Sequence, residues 1–255
     1  MKMNMRSLVA LLFVLSPLSA QAAALTAEGE RFVLTLDGGK RLTSTELVGA
    51  ELTTLEGAVI RIDAVTPSKE NPRILLHSLS SKDPATGAWT PTCDADAYGR
   101  RAGFPIAGRW DDHRRYIKDK TKWFLTCTGG SRGKCVLWGY DPWGKGPKGQ
   151  DLTAYYRACQ HTVRADYDGT ETPHTKNGTQ IDLADDIGIQ TATPGTGYVF
   201  EAGWAPTGAV CVAHTRWGDL LTLEALLKTA PRLGGRCDEV AARRRGALIY
   251  TRVKR

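Results

Sequence analysis

The feature that most limits the fold of this chain is its set of six cysteines, all of which lie after residue 92. They are Cys93, Cys127, Cys135, Cys159, Cys211 and Cys237. None of them belongs to a Cys-x-x-Cys pair, the close spacing that is typical of zinc sites. An even number of cysteines without metal spacing predicts up to three disulfides, and disulfides persist in oxidising compartments. The chain is therefore expected to fold outside the cytosol.

The pairing of these cysteines is not fixed by the sequence, because six cysteines allow 15 connectivities. Cys127 and Cys135 bracket the turn-forming residues 128–133, Thr-Gly-Gly-Ser-Arg-Gly, which favours a bridge that closes a small loop. The same residues do not form a phosphate-binding loop, since Thr128 stands where the first glycine is required and Cys135 where Ser or Thr is required.

The N-terminus has the pattern of a cleaved signal peptide. Lys2 and Arg6 precede the apolar run Leu8–Leu15, and small residues mark a cleavage site at about Ala22. The run is shorter than the roughly 20 residues that span a bilayer, and no later stretch is long enough to do so. We expect residues 1–22 to be removed and the mature chain to be periplasmic or secreted, with no transmembrane segment.

Removal of this leader also changes the charge. The net charge falls from +7 over 255 residues to +5, because Lys2 and Arg6 are lost. The run Arg243-Arg244-Arg245 is then typical of a helix C-terminus, where cations complement the helix dipole. Weak attraction to anionic envelope components is the alternative interpretation. We expect no nucleic-acid partner.

Strand patterns dominate residues 25–92, a predicted β-rich N-terminal region. Phe32–Leu36 leads into Asp37-Gly38-Gly39, a hairpin signal. Ala58–Val65 alternates apolar and polar residues, and a further apolar run follows over Arg73–Leu79. These segments predict an antiparallel β meander.

Residues 93–255 mix helices and strands. Three helices are predicted: one after Asp151, which can cap it, one over Leu220–Ala230, capped by Asp219, and a short one over Asp238–Arg245 that stops at Gly246. A strand is expected just before the C-terminus. The predicted fold class is α+β, with the N-terminal meander packed against a disulfide-stabilised mixed α/β region.

The residues with side chains suited to catalysis or metal binding lie near the end of the Asp151 helix and in the segment after it. His161, Asp166, His174 and Asp182 could supply a general base or metal ligands. An EF-hand is excluded, because Gly169 is fourth in a loop that begins at Asp166 instead of sixth. No serine or cysteine occupies a nucleophile turn. We therefore expect a non-catalytic chain without metal or cofactor, in which Asp182 caps a short helix; the alternative is a hydrolase or metal-dependent enzyme that uses these four residues.

The middle of the chain is rich in aromatic residues. Trp110, Trp138, Tyr140 and Trp143 are of the types found on wet binding surfaces, but the same residues build cores. We expect most of them in the core. Any that remain at the surface favour an envelope or extracellular protein or polymer as the partner.

One segment resembles a known family. The stretch Ala158–Gly169 is similar to the ADYC domain of exported bacterial proteins, whose Ala-Asp-Tyr-Cys tetrapeptide is present as Ala165-Asp166-Tyr167-Asp168. The resemblance covers roughly residues 90–255 and implies export, a disulfide-stabilised fold and no catalytic residue. Further similar stretches are His174-Thr175, Asn177–Thr179, Ile181–Leu183, Lys134–Tyr140, Phe200–Trp204, Ala209–Cys211 and Pro231–Leu233.

The chain departs from this family at the fourth residue of the motif, where Asp168 replaces cysteine. The resemblance implies a second family cysteine just before the Pro-Arg-Leu stretch, where this chain has Ala230. Both ends of one bridge are then replaced together, which keeps the number of cysteines even.

Overall fold

Alternating apolar and polar residues place much of the chain in antiparallel strands. The computed structural model describes residues 24–53, 57–112, 115–193, 195 and 197–254, so the predicted leader and its cleavage site at Ala22 lie outside the described residues. The strands are β1 (Ala24–Glu28), β2 (Arg31–Thr35), β3 (Arg41–Thr43), β4 (Glu51–Thr53), β5 (Val59–Pro67), β6 (Leu75–Lys82), β7 (Trp89–Pro91), β8 (Gly103–Ala107), β9 (Arg109–Trp110), β10 (Tyr116–Ile117), β11 (Trp123–Cys127), β12 (Ile181–Asp185), β13 (Tyr198–Ala205), β14 (Gly208–Val212) and β15 (Ile249–Lys254).

Four α-helices and two short 3₁₀ helices complete the secondary structure of the described residues. The α-helices are α1 (Ser131–Leu137), α2 (Thr153–Arg164), α3 (Leu223–Thr229) and α4 (Glu239–Arg244); the 3₁₀ helices are Ser44–Leu47 and Pro231–Leu233. No helix in the described part of the chain is both long and apolar enough to cross a bilayer.

The N-terminal strands form the predicted antiparallel meander. β1, β2 and β3 make one sheet, and β4, β5 and β6 continue through β8 to β11 in a larger sheet, with β7 paired to β6. A small core lies between them, formed by Phe32, Leu47, Ile62 and Leu79. We call these four residues the N-terminal core. The large sheet includes strands from both sides of residue 92, and the domain boundary predicted there stays a prediction.

A further antiparallel sheet has the order β12-β15-β13-β14, which places β15, the last described strand, in the interior of the sheet. Trp204 on β13 donates its indole N–H to the hydroxyl of Thr251 on β15 at 2.8 Å. Helix α2 packs against this sheet. We call the large cluster around Trp204, Tyr156 and Tyr167 the main core. The predicted α+β class is confirmed.

Three disulfides use all six cysteines, as the even count predicts. The pairs are Cys93–Cys127, Cys135–Cys159 and Cys211–Cys237. The predicted bridge between Cys127 and Cys135 is wrong. Residues 131–137 form helix α1 instead of a turn, and the helix points Cys135 into its interface with α2, where Cys159 lies.

The helix starts agree only in part with the predicted caps. The predicted helix over Asp238–Arg245 corresponds to α4, and Asp238 caps it by accepting the N–H of Ala241. Helix α3, however, begins at Leu223 and is capped by Thr222, because residues 218–220 form a turn; the predicted cap Asp219 binds Lys176 at 2.6 Å.

The aromatic residues of the middle segment lie in or against the main core. Tyr140 is fully buried, while Trp110, Trp138 and Trp143 are partly buried and pack on the cluster. The expectation that most of them build core is confirmed.

Candidate functional site

The Ala-Asp-Tyr-Asp motif begins where helix α2 ends. Ala165 adopts a left-handed conformation, with φ of 50°, and donates its N–H to the carbonyl of Thr162. A left-handed alanine is unfavourable, so packing must hold it in place. The turn folds the chain back on the helix, which brings Asp166 to the side chain of His161.

His161 and Asp166 form a buried pair. The Nδ1 atom of His161 lies 2.8 Å from Oδ2 of Asp166, whose exposed fraction is 0%. The Nε2 atom of His161 lies 3.2 Å from the carbonyl oxygen of Pro206. Both ring nitrogens of His161 therefore face oxygen atoms, and neither nitrogen is left open to a substrate in this arrangement.

The backbone that follows the motif closes around the same carboxylate. Glu171 donates its N–H to Oδ2 of Asp166 at 3.1 Å and itself has a positive φ of 68°. Gly169 also has a positive φ, and a Cβ there would lie 2.2 Å from the carbonyl oxygen of Thr207. Only glycine allows this close approach of two backbone segments.

The tyrosine of the motif anchors a second buried network. Tyr167 donates its hydroxyl to Glu201 at 2.7 Å, and Glu201 accepts two bonds of 3.0 Å from the guanidinium of Arg216. Arg216 also donates to the carbonyl of Thr162 at the end of α2. The side chains of Glu201 and Arg216 are 0% and 2% exposed. Burial, together with the charge of Glu201, raises the pKa of Tyr167 well above its ordinary value.

The other two predicted site residues lie elsewhere. His174 places Nδ1 3.3 Å from the carbonyl oxygen of Ala165 and stacks on the ring of Tyr167. Asp182 lies in strand β12, where it accepts the N–H of Thr193 and faces Arg252 at 3.3 Å. The prediction that Asp182 caps a helix is wrong, because its apolar neighbours alternate as in a strand and pair with β15. The four residues therefore do not meet in one site.

A cleft of about 170 Å³ opens beside the His161–Asp166 pair. We call it the arginine cleft, and it is lined by Trp110, Arg115, Arg157, Gln160, His161, Arg164, Gly169, Glu171, Pro206 and Thr207. Among the four predicted site residues, His161 is the only one that lines this cleft. Sequence reasoning missed the three arginines and Glu171. The spacing of Arg157, His161 and Arg164 could have revealed two of these arginines. The three residues are four and three positions apart and share one face of α2.

One group near the cleft has the composition of a metal site. His161, Asp166 and Glu171 each offer a ligand atom, and these atoms lie within 4.8 Å of one another. Imidazole and carboxylate donors suit divalent transition metals. The hydrogen bond between His161 and Asp166 already engages one ligand atom of each residue.

A serine–histidine pair, a combination that hydrolases use for catalysis, lies beside the N-terminal core. His77 Nε2 lies 2.7 Å from Oγ of Ser44, and this oxygen also accepts the N–H of Phe32. Both polar side chains are 0% exposed. Burial lowers the pKa of His77 to about 4. Because neither group can reach a substrate, the pair is a structural one.

The family of the chain is shown by comparison with known protein families. The chain belongs to the ADYC domain family, and the family match covers residues 41–218. The match begins nearer the N-terminus than the sequence resemblance and ends before α3. Comparisons with curated proteins and with solved structures find no significant match.

Within this family, the chain is a disulfide-stabilised domain whose motif ends in Asp168 in place of cysteine. Arg232 donates to the carbonyl oxygens of Asp168 and Ala209, at 3.2 and 2.8 Å. This contact brings the segment just after Ala230 beside Asp168. The idea that these two positions replace a family disulfide stays a prediction.

Proposed function

We propose that this protein is an exported binding module that acts in the periplasm or outside the cell and catalyses no reaction. Its partner is an envelope or extracellular protein or polymer. Residues 1–22 serve as its signal peptide, and the disulfides stabilise the mature chain where no reducing pool is present.

The observation that carries this proposal is the engagement of His161. Its two ring nitrogens face Asp166 and the carbonyl of Pro206, so the residue best placed for acid–base chemistry serves to fasten the motif to the adjacent strands. His174 and Asp182 are likewise held by backbone and ion-pair contacts. The motif is therefore a hydrogen-bonded structural turn beside an open cleft, and this arrangement supports the proposal of a binding module.

Export is tested by expressing the full chain in a bacterium and recovering it from the periplasm and the medium. We expect intact-mass analysis to give a chain that begins near residue 23 and contains no free thiol. Recovery of the full-length chain in the cytosol with six free thiols would overturn the proposal.

The absence of catalysis is tested with chromogenic esters, phosphate esters and glycosides, each with and without zinc or manganese. We expect no turnover above that of buffer. Turnover that is lost in His161→Asn but kept in the matched variant His174→Asn, with both variants folded by circular dichroism, would contradict the proposal.

Such a result would support the second candidate, a hydrolase or metal-dependent enzyme. The observation that favours this alternative is the close group of His161, Asp166 and Glu171 beside the arginine cleft. A bound divalent ion would need the His161–Asp166 hydrogen bond to give way. Isothermal titration with zinc or manganese alone decides between the two, since the binding module is expected to show no stoichiometric metal binding.

A further inference from the structure

The arginine cleft has an excess of positive charge. Its lining includes Arg115, Arg157 and Arg164 against a single carboxylate, that of Glu171. Arg115 is balanced by Asp111, 2.8 Å away, and Arg164 lies 3.8 Å from the carboxylate of Glu171. The third arginine of the cleft, Arg157, differs from these two in its partners.

Arg157 is held in position without being neutralised. Its Nε and Nη2 atoms donate to the carbonyl oxygen of Tyr116 at 3.1 and 2.5 Å. Among the described residues, no carboxylate lies within ion-pair distance of this guanidinium. A partly buried guanidinium that is oriented by a carbonyl but paired with no anion retains its charge for a ligand.

The cleft walls also carry unused donors. The indole Nε1 of Trp110 and the Nε of Arg164 are buried and have no hydrogen-bond partner. Buried donors are normally satisfied, so each of these marks a place where an acceptor is favoured. Both residues line the same cleft as Arg157.

His161 is already engaged beside this cleft. Oxygen atoms face both of its ring nitrogens, so neither nitrogen is left open to a further ligand. The guanidinium fork matches the two oxygens of a carboxylate or a phosphate. A volume of about 170 Å³ admits a group of this size, with the remainder of the partner outside the cleft.

We propose that the arginine cleft binds an oxyanion, a carboxylate or phosphate group of the partner, through the guanidinium of Arg157 with the donors of Trp110 and Arg164 beside it. This inference rests on the proposed function and names the chemistry that the module recognises. It differs from the enzyme alternative in its ligand, which is an anion bound without turnover.

The test is isothermal titration of the full mature, oxidised protein with inorganic phosphate and, separately, with acetate, at low ionic strength. We expect saturable binding of at least one of them that weakens as sodium chloride is added, because screening reduces charge–charge attraction. Tighter binding of phosphate than of acetate identifies a phosphate group as the ligand, and the reverse order identifies a carboxylate. No saturable binding of either would overturn the inference.

Three variants locate the binding. Arg157→Gln is expected to weaken it about tenfold, the size expected when one hydrogen bond to a charged group is lost. Trp110→Phe keeps an aromatic ring but removes the indole donor, and is expected to weaken binding by a smaller factor. The matched control Arg244→Gln removes an exposed arginine outside the cleft and should leave binding unchanged. Equal loss in the Arg157 and Arg244 variants would contradict the site.

Failure of this inference is distinguishable from failure of the proposed function. If the protein is exported, oxidised and inactive but binds neither anion, the proposed binding module stands and the oxyanion inference is wrong. If the protein hydrolyses a phosphate ester and this activity depends on His161, the proposed binding module is wrong. If Arg157→Gln does not fold, as judged by circular dichroism, Trp110→Phe alone carries the test, and unchanged binding in that variant would count against the inference.

Discussion

The N-terminal core and the main core of this protein are associated with buried polar groups of different kinds. Beside the N-terminal core lies a neutral pair, Ser44 and His77, whose hydrogen bond is 2.7 Å long. The main core contains an ion pair, Glu201 and Arg216, which also fixes the hydroxyl of Tyr167. All three disulfides lie outside the N-terminal core, in the part of the chain after residue 92.

The difference follows from how far apart in the sequence the elements of each core lie. The N-terminal core is built mainly from strands that are adjacent in sequence and pair as a meander, so their contacts form with little loss of loop entropy. The main core joins α2 to strands that lie far apart in the sequence, and a buried ion pair is satisfied only in one arrangement of them. The buried ion pair therefore occurs where the pairing of neighbouring strands cannot specify the fold, and two of the three disulfides, Cys135–Cys159 and Cys211–Cys237, lie in the same part of the molecule.

The largest effect is expected from breaking the buried ion pair. Arg216→Met leaves Glu201 buried without a cation and should lower the free energy of unfolding by about 3–5 kcal/mol, measured by urea denaturation. The control Arg243→Met removes an exposed partner of Asp186 and should cost less than about 1 kcal/mol. Equal losses in the two variants would remove the distinction between buried and surface pairs.

The second effect comes from the disulfide between the helices. Cys135→Ser/Cys159→Ser opens a loop with a sequence separation of 24 residues and should cost about 3–4 kcal/mol by chain entropy. Hydrogen exchange is expected to show faster opening of α1 and α2 amides than of β5 and β6 amides. Loss of protection to the same degree in all four elements would mean that the two cores open as one unit.

The third prediction concerns pH. His77 is neutral in the folded state because burial lowers its pKa from 6.5 to about 4. Between these values only the unfolded chain gains a proton, so stability falls as the pH is lowered from 6.5 to about 4, by about 3 kcal/mol in total. His77→Gln should remove this dependence, measured as the urea midpoint against pH.

A buried carboxyl acts in the opposite direction. Burial raises the pKa of Asp141 from 3.8 to about 6, so in this window the unfolded chain loses the proton first and stability falls as the pH rises. The two effects oppose each other in the natural chain and are expected to separate in the single variants. Asp141→Asn should show a steeper loss on acidification than the natural chain; parallel pH curves for all three proteins would contradict both assignments.

The smallest effect is expected within the neutral pair. Ser44→Ala removes the acceptor of the Phe32 N–H and the partner of His77, and leaves both buried, at a cost of about 1–3 kcal/mol. Ser78→Ala is the matched control, because Ser78 is exposed on the same strand as His77. A smaller loss for Ser44→Ala than for Ser78→Ala would show that the pair contributes nothing to the core.

Several parts of the fold could be predicted from local sequence alone. The alternation over Ala58–Val65 predicts β5, since one face of an antiparallel strand is buried and the other is exposed. The helix predicted over Asp238–Arg245 corresponds to α4, and the side chain of Asp238 accepts a helix N–H. The cap predicted at Asp219 is wrong, because residues 218–220 form a turn and Thr222 caps α3 instead.

The candidate site was predictable to a smaller extent. His161 and Asp166 were identified because both stand in one short segment that resembles the family motif. Glu171 was missed because its approach depends on a positive φ that its residue type does not indicate. Arg115 was missed because it lies just before strand β10, far from α2 in the sequence.

The sequence by itself determined the classes of element, the use of all six cysteines and the family. Each depends on residue type, spacing or count, which are local properties. Only the tertiary structure decided which cysteines pair, which carboxylates become caps or ion partners, and which side chains line the arginine cleft. These outcomes depend on the competition between distant groups for the same hydrogen bonds and buried space, and that competition is resolved only when the chain is folded.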